Sequence, residues 1–308
     1  AAADTKTYDG TNASTGTPQI PSGSLASGGN ALLSAGRDLL ADADSRIDTT
    51  ADLTLTAGRN MQLDGTINTG GTTTVNASQD LATGGLVAGT GDMTLAAGGD
   101  IELGGVLTGG AQLDVESAGT TRISGIVTAA GDATLSAADD IGFAGGSLTA
   151  PRVRILAGTD GSGDVAGSSL AGPDIIAAES AFITAPGTIG LGAALEVRTP
   201  RLDLEANDID VTAAPADPAD ALAVTATGVG GSDAATVKLA LASENAVTIG
   251  RLYATTSVVS ADTPDLMVED GRVGDYATFY TPDYSVHIDR LDRRVKPGFD
   301  ARGFTLSG

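Results

Sequence analysis

The chain contains no cysteine and no tryptophan in 308 residues. Without cysteine there are no disulfides and no thiolate metal sites, so cohesion has to come from packing and main-chain pairing. Aromatic residues make up only 3% of the sequence. A thin interior filled by Leu, Val, Ile and Ala has that composition, because it leaves little room for rings. Basic residues are also scarce, 17 Lys and Arg against 39 Asp and Glu for a net charge of -22, which disfavours nucleic acid backbones and anionic membranes as partners. No apolar run approaches the roughly 18 residues that span a bilayer, so membrane insertion is not expected. No charged-then-apolar leader precedes Ala1, and the chain does not begin with Met, as expected of a processed chain or an excised fragment. Neither a phosphate-binding GxxxxGK[ST] loop nor a G-x-S-x-G elbow occurs.

A repeat is present instead. Residues 51–150 divide into five successive blocks of 20: ADLTLTAGRNMQLDGTINTG, GTTTVNASQDLATGGLVAGT, GDMTLAAGGDIELGGVLTGG, AQLDVESAGTTRISGIVTAA and GDATLSAADDIGFAGGSLTA. A period near 20 is the signature of a solenoid. One column is always glycine (Gly65, Gly85, Gly105, Gly125, Gly145), as expected at a sharp corner. Leu55, Val75, Leu95, Val115 and Leu135, with a small residue two positions on, place one side of an extended segment inward. A second inward pair runs through Met61, Leu81, Ile101, Thr121 and Ile141, and through Leu63, Thr83, Leu103, Ile123 and Phe143. Ile67, Val87, Leu107 and Val127 mark a third short strand. Apolar residues that alternate and are cut by Gly do not suit an amphipathic helix.

These columns predict an all-β parallel β-helix with three short strands per coil and coils about 4.8 Å apart. Upstream, GNALLSAGRDLLADADSRIDTT fits the repeat with two extra residues, aligning Leu33 with Leu55. Downstream the period loosens, although fragments such as Leu202–Leu204 and Val237–Leu241 keep the alternation. The expected organisation is an extended amino-terminal arm over 1–23, a β-helix over 24–275 (regular over 31–150, irregular over 151–275), and an aromatic carboxyl-terminal cap or docking segment over 276–308. About twelve coils at ~4.8 Å each would form a rod of order 60 Å.

The strings AGRDLL, AGRNMQLDGTI and AGGDIELGGVL resemble the degenerate repeats of filamentous haemagglutinin-type exoproteins, bacterial surface adhesins secreted by the two-partner route. The likeness is clear over residues 31–150 and weaker to about 275. KTYDGTN near the start is similar to the small YDG-type modules of the same adhesins, with Thr7 and Asn12 departing from their pattern. The family's NPNG-like secretion motif is missing, so the resemblance implies a shaft segment of a longer polypeptide. It also implies a right-handed coil, in line with the general chirality of parallel connections.

Several residues invite chemical readings. Asp38, Asn60, Asp80, Asp100, Thr120 and Asp140 form an acidic column at the turn before the second strand. Stacked carboxylates repel unless hydrated or bridged by a cation, yet Asp and Asn also stabilise turns through backbone hydrogen bonds, and the turn role is the expectation. Asp160-Gly-Ser162-Gly-Asp164 has the alternating oxygen ligands of a calcium-loop start without the downstream Glu, so Asp160 and Asp164 are candidate calcium ligands beside the plainer reading of a solvent loop. An outward column of Thr54, Thr74, Thr94 and Thr134, broken by Asp114, reads as a side-chain ladder. Seven of the ten aromatics lie after residue 249, together with the lone His287. Tyr276, Phe279, Tyr280 and Tyr284 are therefore the candidate partner-binding residues of a capping or docking element.

Paired carboxylates could also serve a polysaccharide-active enzyme, at Asp139-Asp140 or at Asp203, Glu205, Asp208 and Asp210. Sugar-stacking aromatics are missing from the coils, and carboxylates are abundant on so acidic a surface. The expectation is a noncatalytic extracellular or bacterial cell-surface scaffold or adhesive spacer without a required cofactor, calcium excepted. Its partner would be a protein or glycan surface, or a second copy of itself. The alternative is a subunit of an extracellular assembly that docks through its aromatic end.

Overall fold

The computed structural model describes residues 12–14, 19–20, 23–281, 285–292, 298–301 and 304–306, and the side chains of residues 23–274, 277–281 and 286–290. Its strands pair in parallel as a β-solenoid of about 13 turns with roughly 20 residues per coil. The chain divides into two compact units, residues 1–150 and 151–308.

In the first unit each coil has three strands, for example Met93–Ala97, Ile101–Leu103 and Val106–Gly109. Each pairs with its counterpart 20 residues away on either side: Val75 with Leu95 and Leu95 with Val115, Leu81 with Ile101 and Ile101 with Thr121, Leu86 with Val106 and Val106 with Ile126. The register thus stacks like on like, and the inward columns read from the sequence form the buried core. Polar residues that fall in those columns are accommodated locally. Ser117 Oγ lies 2.8 Å from Thr121 Oγ1 on the buried side of the turn between them and donates to the Gly119 carbonyl at 3.1 Å.

Stacking reaches further upstream than residue 24. Asn12–Ser14 pairs with Leu33–Ala35, and Gln19–Ile20 pairs with Leu40–Ala41, so the ladder enters the segment expected to be an arm. The two extra residues of the first full coil are localised by the register. Leu33 pairs with Leu55 and Leu39 with Met61, an offset of 22, whereas Arg46 pairs with Thr66, an offset of 20. The insertion therefore lies in the corner at residues 42–45. A second irregularity falls at the same corner of the fifth block. Ile126 pairs with Ser147, so Gly146 rather than Gly145 continues the glycine column, while Gly145 takes a φ of 91° in the extra position. The block boundaries read from the sequence conceal that one-residue step.

Glycine is required in this corner by close approach between coils. A Cβ on Gly105 would lie 1.9 Å from the Gly85 carbonyl oxygen and 2.8 Å from the carbonyl of Gly84, and a Cβ on Gly125 would lie 1.9 Å from the Gly105 oxygen. Since every obstacle is backbone, no rotamer change relieves it. The neighbouring Gly104 is freer, its nearest contacts being 3.2 Å to Thr83 O and 3.4 Å to Ser124 Oγ.

The second unit lacks this punctuation. Its strands run through the corners as long elements, Ile175–Ile189, Arg201–Ala214, Val247–Asp262 and Asp265–Thr281. Bulges at Ala185/Thr188, Val224/Thr225 and Ala254/Thr256 provide local bends. Parallel pairing continues beyond residue 276, since Thr278–Thr281 pairs with Gly298–Ala301 and Val286–Ile288 with Phe304–Leu306. The expected terminal cap therefore contributes further rungs of the ladder among the described residues.

Substituting Gly105 by Ala should lower unfolding stability by roughly 2–4 kcal/mol, whereas Gly104→Ala should change it by about 1 kcal/mol or less. Equilibrium denaturation of the two variants beside the parent checks this. Equal stabilities would show that the corner can relax.

Candidate functional site

The acidic column stands on the turn between the first and second strands of the regular coils. Its carboxylates and amides bond the next coil rather than their own turn. Asp38 Oδ1 accepts from the Asn60 amide at 3.2 Å, Asn60 Oδ1 from Asp80 at 3.2 Å, Asp80 Oδ1 from Asp100 at 3.0 Å, and Asp100 Oδ1 from Thr120 at 2.8 Å. The column is a side-chain-to-backbone ladder parallel to the strand ladders, satisfying turn amides that the strands leave over. The Arg59 side chain donates to Asp38, and this hydrogen bond holds the Asp38 carboxyl below the usual carboxylate range. An open trough of about 630 Å³ runs beside the column, bordered by Asn60, Asp80, Asp100, Glu102 and Arg122.

A second ladder of the same kind was not anticipated. Asn30 Oδ1 accepts from the Asp52 amide at 3.3 Å, Asp52 Oδ1 from Thr72 at 2.9 Å, and Asp92 Oδ1 from Gln112 at 3.2 Å. Its signal was present in the repeat: Asp52, Thr72, Asp92, Gln112 and Asp132 occupy the second position of the five blocks.

The two calcium candidates do different structural jobs. Asp160 Oδ1 accepts from the Ser162 amide at 3.2 Å and closes its own loop, whereas Asp164 Oδ1 accepts from the Thr188 amide one coil away. No group of three or more His, Cys, Asp or Glu suited to a metal ion occurs among the described residues.

Of the aromatic candidates, Phe279 is corrected. It is 0% exposed, because the alternation along Ala277–Thr281 turns it into the core, while Tyr280 points outward at 45%. A count of aromatics along the segment ignores this period of two. Tyr284 and the side chain of Tyr276 lie outside the described residues. The half-buried His287 has Nε2 2.7 Å from Asp289 Oδ1.

The carboxylates considered for glycosidase chemistry are largely engaged. Arg201 Nε lies 3.1 Å from Asp203, Lys238 Nζ lies 3.3 Å from Asp210, and Asn207 donates to Asp208 at 2.8 Å. Another polar cluster, unread in the sequence, surrounds Tyr253. Its hydroxyl donates to Asp270, which raises the phenol pKa, and Arg272 stacks over the ring at 4.3 Å while pairing with Asp233. The Arg272 side chain also reaches the Gly231 carbonyl at 3.4 Å. This arrangement ties the turn Val229–Gly231 to the coil face.

Asp174 is the most perturbed group. It is only 1% exposed, and its carboxylate accepts from the amides of Glu196 at 3.0 Å and Ser168 at 3.2 Å. Burial raises its pKa to about 6 despite those hydrogen bonds, with the nearby Glu196 carboxylate adding to the rise. These hydrogen bonds hold the loop before Pro173 against the neighbouring strand.

No known protein family, no curated protein and no solved structure matches the chain.

Asp174 generates a defined pH dependence. Its pKa of about 6 in the folded chain exceeds the ordinary value of 3.8, so the folded state binds this proton more tightly. The associated stability is complete below the ordinary value and is lost as pH rises through 6. Melting temperatures of the parent and of Asp174→Asn, measured from pH 4.5 to 7.5, should show the parent gaining on the variant as pH falls. The slope should not exceed about 1.4 kcal/mol per pH unit. A pH-independent difference would contradict this role.

Proposed function

We propose that this chain is a noncatalytic structural scaffold, a β-helical spacer of a bacterial extracellular or cell-surface protein. The observation that carries the reading is where the polar side chains are spent. The two Asx ladders bind backbone amides of adjacent coils, and the Tyr253 and Asp174 clusters tie loops to strands. An enzyme site needs titratable groups converging on an accessible cavity with capacity left for substrate. Here the open trough is bordered by Asn60, Asp80 and Asp100, which already serve as ladder elements, and by the Glu102–Arg122 ion pair. Continuous parallel pairing and a small-aliphatic core suit a load-bearing spacer, since each rung is held on both edges.

The resemblance of AGRDLL, AGRNMQLDGTI and AGGDIELGGVL to filamentous haemagglutinin-type repeats supports the surface and adhesive parts of this proposal. The strong acidity agrees with it, because a high net charge keeps a long repeat protein soluble and apart from its neighbours. Recognition of a protein or glycan would then use surface departures from the repeat, with Tyr280 as an exposed aromatic near the carboxyl end.

A screen against acidic and neutral polysaccharides should give no cleavage. Reproducible turnover by purified protein, abolished by Asp203→Asn or Asp210→Asn, would overturn the noncatalytic reading. The scaffold also functions without calcium in this proposal, since Asp160 and Asp164 accept amide hydrogen bonds in separate places. Millimolar calcium should leave the melting temperature within about 1 °C of its value in chelator, because a ligand that binds only the folded state would raise it.

A further inference from the structure

We propose that a second copy of this chain covers a ridge formed by Leu86, Val106 and Ile126, with the two copies antiparallel so that Glu102 of each faces Arg122 of the other. The three aliphatic side chains are 39%, 42% and 56% exposed. The register places them directly above one another in consecutive coils, bounded by Thr66 on one side and Ser147 on the other. Other exposed strand aliphatics do not continue in this way, since Leu32 is followed at the same position by Thr54 and Val258 by Thr278. The corner residues before the ridge are small, Gly84-Gly85, Gly104-Gly105 and Ser124-Gly125, so the aliphatic side chains stand clear of them. A contiguous strip of exposed aliphatics differs from the singly scattered ones that are ordinary on a surface.

Charge placement selects the occupant. Glu102 and Arg122 occupy the same column in successive coils, with Arg122 Nε 3.4 Å from Glu102 Oε2. Ser124 Oγ also donates to Glu102, which brings the carboxylate to the corner just before Ile126. A twofold axis in the contact plane, perpendicular to the stack and passing between these two coils, exchanges their levels. Glu102 then faces Arg122 of the other copy, and Val106 faces Ile126. Such a surface is self-complementary only when the copies run antiparallel; side by side in parallel at equal height, Glu102 would meet Glu102 and Arg122 would meet Arg122. Four surface positions on each of four coils cover on the order of 500 Å² per copy at ordinary strand and residue spacings. That is at the low end of specific interfaces, so the dimer is weak and concentration-dependent. The ridge carries a balanced charge pair on a chain of net charge -22, so salt should tighten association by screening the long-range repulsion.

Sedimentation velocity of the full chain over a wide concentration range, at low and moderate salt, tests the proposal. The expected result is a reversible monomer–dimer equilibrium that strengthens with salt. Ile126→Asp should weaken it about tenfold or more, and Ile126→Thr, which imitates Thr66 at the far end of the same column, should weaken it in a variant that keeps the strand. Glu102→Arg and Arg122→Glu should each weaken association, while the double exchange should restore it to within a few-fold of the parent. Circular dichroism and melting curves verify that each variant is folded. A parent that stays monomeric at all concentrations would overturn the proposal, as would a dimer indifferent to both Ile126 variants. A double exchange that fails to recover would overturn the antiparallel register. These outcomes are independent of the scaffold reading, which the polysaccharide screen addresses.

Discussion

Parallel pairing of each strand with its counterpart one coil away is the constraint on which the remaining structure depends. It holds equivalent residues about one strand spacing apart, so a choice at one position is imposed on the residues above and below. Leu55, Val75, Leu95, Val115 and Leu135 form an apolar column for this reason, and the core is built from such columns. The same geometry leaves the turn amides in stacks. Asp and Asn side chains then serve as connectors between successive turns, which continues the main-chain ladder through corners where strands cannot pair.

Corners also decide where coil length can vary. The corner before the third strand takes two extra residues at 42–45 and one at 145, while the flanking strands stay in register. Where that corner is short, the carbonyl of one coil fills the space a Cβ of the next would need, and glycine follows throughout Gly65, Gly85, Gly105 and Gly125. Another corner column accepts Gly70, Thr90, Gly110 and Ala130. Positive φ does not select glycine at the short corner, since Gly65, Gly85, Gly105 and Gly125 are absent from the positive-φ positions; the two corners differ in the degree of backbone approach, which is closer at Gly105 and Gly125 than at Gly70 and Gly110.

Much of the regular unit was legible because its packing has a fixed period. Inward columns, strand number and the offset of Leu33 to Leu55 follow from residue identity at a constant spacing. The step at Gly145-Gly146 was hidden because either glycine satisfies the column, and only pairing of Ile126 with Ser147 distinguishes them. Partners fixed by folding were harder to read. Tyr253, Asp270, Arg272 and Asp233 meet across different strands and a turn, so no common spacing announces them. Asp174 is likewise marked by no spacing, because its burial beneath the Ser168 and Glu196 amides is fixed by folding. Phe279 is the opposite case: the alternation along Ala277–Thr281 is present in the sequence and turns it inward, whereas local aromatic density alone suggests a surface residue.

Stacking makes a uniform surface easy to build and a distinctive one hard to build, because recognition requires neighbouring positions to differ. The regular unit supplies such differences where a column is interrupted. Asp114 breaks the outward threonines, Arg122 follows Glu102, and the aliphatic run of Leu86, Val106 and Ile126 begins after Thr66 and stops at Ser147. The backbone is unaffected by these changes, since outward side chains do not enter the core. A solenoid can therefore keep one core rule through successive coils while specifying a finite patch on its surface. Departures from the repeat carry the positional information that the repeat itself lacks.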